Sequence, residues 1–120
     1  MRKLLLATAI MASLSGVAMA DDVKVGVLMG FTGPIESLTP NMAASAELAF
    51  KEVSDSGALL DGKKITVTRS DSSCVDAAAA TAAAERLVTS EKVVALVGAS
   101  CSGETTAVVN NVVAPNGVLA

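Results

Sequence analysis

Three short runs of strand-forming residues alternate along this chain with stretches of helical period, and that order restricts the fold more than any other feature. The first run, Val23–Met29 (V-K-V-G-V-L-M), ends at Gly30. Residues 64–70 (K-I-T-V-T-R-S) alternate and are less apolar, whereas residues 93–97 (V-V-A-L-V) are apolar throughout. The pattern predicts three strands, the second an outer one and the third central. Between the first two, Met42, Ala43, Ala46, Ala49, Phe50 and Val53 recur at helical spacing, with Asn41 as N-cap and Gly57 as stop. The alanine-rich stretch 75–90 puts Ala80, Ala83, Ala84, Leu87 and Val88 on one face and predicts a closely packed second helix. A third helix is expected over 105–113, and the Pro-Asn-Gly turn at 115–117 introduces a further apolar run. Strands alternating with helices of this length predict an α/β fold: a doubly wound parallel sheet with flanking helices and right-handed crossovers.

The first twenty residues read as a targeting segment. Arg2 and Lys3 precede a mostly apolar run, and Ala18-Met19-Ala20 offers an A-x-A cleavage site before Asp21. The run is shorter than the roughly 20 residues a spanning helix needs, so residues 1–20 are expected to be a secretory signal peptide cleaved after Ala20. Without Arg2 and Lys3, seven basic residues face twelve acidic ones, a net charge of −5. No basic patch is present, which argues against a nucleic-acid partner. The chain contains no histidine, the commonest metal ligand and general base. The last residues, 116–120, stop where a new apolar run begins, so 21–120 is expected to be a truncated piece of a larger fold.

Chemistry is expected in the loops beyond the carboxyl ends of the strands. The segment 98–104 (G-A-S-C-S-G-E) hands a strand over to a helix, where backbone N–H groups and hydroxyls suit a small anion. Ser100 or Ser102 could equally serve only as an N-cap. A phosphate loop would need lysine where Glu104 stands, a dinucleotide fingerprint lacks its glycines, and G-x-S-x-G is only half matched with no histidine as base. No catalyst, cofactor or metal is therefore expected. Cys74 and Cys101 are the only cysteines. An exported chain favours a disulfide between two such residues, a redox role would want C-x-x-C, and other soft metal ligands are missing. Spacing alone does not show that the two lie close enough to bond.

Several of these residues together carry a resemblance. The V-K-V-G-V-L strand, T-G-P at 32–34, A-F-K-E-V at 49–53, D-S-S-C-V-D at 71–76 and G-A-S-C-S at 98–102 resemble the N-terminal portion of periplasmic solute-binding proteins of the leucine/isoleucine/valine-binding type. The resemblance implies a two-lobed protein that closes on an amino acid and delivers it to the membrane permease of an ABC importer. It implies that Cys74 and Cys101 are bonded and that Ser102, with Ser100 and Gly103 beside it, binds the ligand carboxylate. A pocket side chain is expected near Leu38, where familiar members are aromatic and this chain is aliphatic. Glu104 is a second departure, because a small or uncharged residue is more usual there and its charge would repel a carboxylate if it faced the cleft. Two other functions fit the same sequence: a ligand-sensing domain of this fold, or a secreted α/β enzyme with its catalytic residues beyond Ala120.

Overall fold

A computed structural model describes residues 21–120; the expected signal peptide, residues 1–20, lies outside the described residues. Its strands are β1 (Val23–Met29), β2 (Ile65–Asp71) and β3 (Ala95–Gly98), all parallel, in the order β2-β1-β3. Met29 pairs with Asp71 and Leu28 with Gly98, so the three carboxyl ends finish level along one edge.

Residue alternation in β1 divides the interior into two layers. Val27 and Met29 face α1 (Thr39–Ser56) and join Ala43, with Phe31, Phe50, Val67 and Val97 packed around them. Leu28 points the other way, into a larger cluster with Ala80, Ala84 and Leu87 of α2 (Ala77–Thr89), Leu96, and Val108 of α3 (Ser102–Val108). Helices therefore cover both faces of the sheet, as a doubly wound arrangement requires. Small residues allow the close approach: a Cβ on Gly26 would lie 2.5 Å from Leu96 and 3.0 Å from Leu87.

Several local expectations are corrected. Helix α1 starts at Thr39 with Leu38 at the N-cap, two residues ahead of Asn41, because Pro40 suits the first turn, where its missing N–H would be unpaired in any case. Met42 and Val53, expected on the buried face, are exposed, while Ala43 and Phe50 carry the packing. Gly57 does end the helix, in the left-handed conformation. Helix α2 is capped by Asp76, whose carboxylate accepts from the N–H groups of Ala78 and Ala79.

β3 is not the middle strand of the three. The chain turns at Lys92 with φ 62°, Val93 bonds back to Leu87, and regular pairing begins only at Ala95. β1 occupies the centre of those three. β3 is nonetheless flanked on both sides, by β1 on one edge and by a parallel bridge from Ala95 to Leu119 on the other, as its apolar run predicts for an interior strand. Helix α3 begins at Ser102, three residues ahead of Thr105, and leads through a π segment (Val109–Val113) into a last turn, α4 (Ala114–Asn116). Among the described residues, no helix is long and apolar enough to cross a membrane.

Candidate functional site

Three loops leave the carboxyl edge of the sheet, and side chains stitch them together. Thr32 donates its N–H and its hydroxyl to the Asp71 carboxylate at 3.3 and 2.6 Å, and the Ser73 N–H donates to the same group at 2.9 Å. Burial pushes the Asp71 carboxyl upward, but the hydrogen bonds from Thr32, Ser73 and Phe31 outweigh it and hold the group below its ordinary value. Gly33, at φ 92°, lies so close to the Ser73 carbonyl that a Cβ there would overlap it. The T-G-P turn thus needs its glycine so that the first loop can lie on the second. The base of the first loop is fixed by buried Thr39, which donates to the Gly30 carbonyl at 2.8 Å.

The third loop is tied to both others. Cys74 and Cys101 form a disulfide with a Cα–Cα distance of 5.4 Å, within the usual range. Ser100 is half-buried, and its Oγ accepts from the Gly30 N–H at 3.4 Å, so it links the first loop to the third. Gly98 has φ 122°, and a Cβ there would overlap the Leu28 carbonyl oxygen across the sheet. Only glycine lets β3 leave the sheet beside β1 in this way.

Neither serine caps helix α3. Cys101 holds the N-cap position without a side-chain cap, and Ser102 is the first helical residue. The first intrahelical bond runs from the Thr105 N–H to the Cys101 carbonyl, so the N–H groups of Ser102, Gly103 and Glu104 precede the hydrogen-bonded ladder. Ser102 and Gly103 are exposed, and nothing lies within 4 Å of where a Gly103 Cβ would be. Leu38, exposed, heads α1 on the same edge as Ser102 heads α3.

Glu104 does not face outward. It is 3% exposed and accepts a hydrogen bond from Ser72 Oγ at 3.0 Å, joining the second loop to α3. Its charge is therefore not presented beside Ser102, which removes the expected conflict with a bound carboxylate. Sequence reasoning missed the Thr32–Asp71 and Ser72–Glu104 ties because each joins residues more than 30 positions apart, with no local signature. The T-P pair at 39–40 was a usable signal for the helix start and for Thr39. A cavity lined by Asp21, Asp22, Lys24, Lys92 and Val94 lies by the start of β1, away from these loops.

Similarity to known proteins converges on one family. A family model described as periplasmic binding protein matches residues 22–120. The Leu/Ile/Val-binding protein homolog 7 of Brucella melitensis is 36% identical over 108 residues, covering 89% of this chain and 26% of that protein. The Leu/Ile/Val/Thr-binding protein of Salmonella typhimurium is 33% identical, covering 86% and 27% respectively. Among solved structures, the branched-chain amino acid transporter substrate-binding protein LivJ of Streptococcus pneumoniae, in complex with isoleucine, superposes with a TM-score of 0.71. That likeness has 33% identity and covers 81% of this chain and 27% of LivJ. An ABC transporter solute-binding protein of R. palustris in complex with benzoate superposes at 0.67 with 28% identity, covering 81% and 26%. The chain spans about a quarter of the length of the curated relatives it matches. With a family model matched over residues 22–120, relatives at 33–36% identity and a common fold in the superposed structures, the chain belongs to the periplasmic binding protein family.

Proposed function

We propose that residues 21–120 form much of the N-terminal lobe of the substrate-binding component of an ABC importer, and that their loop edge holds the carboxylate of a branched-chain or related amino acid. Export to the periplasm follows from residues 1–20 acting as a signal peptide, and the partner is the importer's membrane permease. The observation that carries the reading is the start of α3: exposed Ser102, freed from capping and followed by N–H groups outside the helical ladder, beside a disulfide that fixes its loop. A hydroxyl and helix-start N–H groups suit a carboxylate. Ser100 and Gly103 flank it, and Leu38 contributes an aliphatic wall from the first loop. A second lobe closing over this edge would bury the ligand.

The edge is read as a binding surface and not a catalytic one. The chain has no histidine, and the buried carboxylate nearest in sequence, Glu104, is engaged with Ser72. A second reading rests on the benzoate-bound relative: a carboxylate ligand without an amine would meet the same donors. Titration calorimetry of the two-lobed protein, this lobe joined to its second lobe, with leucine, isoleucine, valine and benzoate separates the two, whereas residues 21–120 alone are expected to show little affinity. The aliphatic amino acids are expected to bind with micromolar affinity, about −8 kcal/mol, and benzoate not to bind. Benzoate binding alone would transfer the site to the second reading, and binding of neither class would refute the carboxylate site.

A further inference from the structure

We propose that Cys74, Cys101 and Glu104 form a binding site for a thiophilic divalent cation of the zinc class whenever their disulfide is open. Both sulfurs and a carboxylate oxygen of Glu104 lie within 4.8 Å of one another. Ligand atoms in a tetrahedral zinc shell stand about 3.5–3.8 Å apart, given bonds of about 2.3 Å to sulfur and 2.0–2.2 Å to oxygen. Small side-chain adjustments therefore convert the cluster into three corners of such a shell, with water as the fourth.

The placement follows from the fold. Cys101 is the N-cap of α3 and Glu104 lies three positions on, a spacing that brings two side chains to one helix face. Cys74 arrives from the second loop at a Cα–Cα distance of 5.4 Å from Cys101. A second observation points the same way. Glu104 is 3% exposed, its Oε2 is held by Ser72, and its Oε1 is buried with no partner among the described residues; Ser73 Oγ is buried in the same condition. A buried carboxylate with an oxygen left unsatisfied is costly, and a cation beside it would supply the missing interaction.

Opening the site needs a reductant. A dithiol gives two electrons and two protons to the Cys74–Cys101 bond, leaving two thiols and becoming a cyclic disulfide itself. Cation binding then displaces the two thiol protons, since thiolate is the ligand form. Metal binding and disulfide formation therefore compete for the same two sulfurs, and the cation protects the thiols before the bond closes.

The test is an anaerobic cobalt(II) titration of the protein after reduction with a water-soluble phosphine, which takes oxygen from water and becomes the phosphine oxide. The reduced protein is expected to bind one cobalt, develop a thiolate-to-cobalt charge-transfer band, and lose it when zinc is added. The oxidised protein should show no band. Glu104→Gln is expected to weaken binding by at least about tenfold, with its fold checked by circular dichroism. Glu104→Asp, which keeps a carboxylate, provides a second variant and should retain more affinity than Glu104→Gln. No band in the reduced protein, an equal band in the oxidised protein, or equal affinities for wild type and both Glu104 variants would overturn the proposal.

Discussion

Removing the disulfide by the double substitution Cys74→Ala, Cys101→Ala is expected to cost roughly 3.5 kcal/mol of folding stability. The bond joins residues 27 apart. On the chain-entropy relation, a loop of that size withholds about 12 cal/mol/K from the unfolded chain, or about 3.5 kcal/mol at 25 °C. The native side of the balance changes little. The Thr32–Asp71 and Ser72–Glu104 hydrogen bonds still tie the loops, and Cys101 makes no side-chain cap to lose. Most of the loss is therefore assigned to the unfolded ensemble. Urea denaturation followed by circular dichroism, with chelator present, compares oxidised wild type with the double variant. Against a total of about 5–15 kcal/mol for a typical domain the expected change is large, and a difference below about 1 kcal/mol would refute the reasoning.

Gly98→Ala is expected to destabilise by on the order of 3 kcal/mol or more, because a Cβ at φ 122° would overlap the Leu28 carbonyl oxygen in the neighbouring strand. A melting temperature indistinguishable from wild type would contradict that close approach. Asp71 sets an acid-side dependence. Its folded pKa lies below the usual value, despite burial, through the Thr32, Ser73 and Phe31 donors. Its contribution is thus complete above about pH 4 and is lost as pH falls through the folded value. Asp71→Asn should flatten the stability profile below about pH 4, and an unchanged acid slope would count against the role given to this residue.

Much of the fold was legible because its signals are local. β1 was readable from its β-branched run, α2 from its apolar face, and the end of α1 from Gly57. What misled was equally physical. Asn41 is a good capping residue, but Pro40 fits the first helical turn and moved the start to Thr39. The unbroken apolar run 93–97 suggested a strand along its whole length, yet the turn at Lys92 sends Val93 into the α2 side, and the regular strand begins at Ala95, just after the Val94 N–H has bonded to the Lys24 carbonyl. At the site, the two cysteines and Ser102 were visible in sequence. The direction of Glu104 was not, because it depends on Ser72 in another loop. Helical spacing could place Glu104 on a turn but not decide between the interior and the open edge.

The central claim is that Ser102 receives the ligand carboxylate, and calorimetric titration of L-isoleucine into the two-lobed protein, wild type and Ser102→Ala, tests it most directly. Ser102 is exposed and caps nothing, so the variant should melt at the wild-type temperature. A hydrogen bond to a charged group contributes about 1.5–3 kcal/mol, which predicts a Kd about 10- to 150-fold weaker. An affinity within twofold of wild type, in a variant of unchanged stability, would contradict the account.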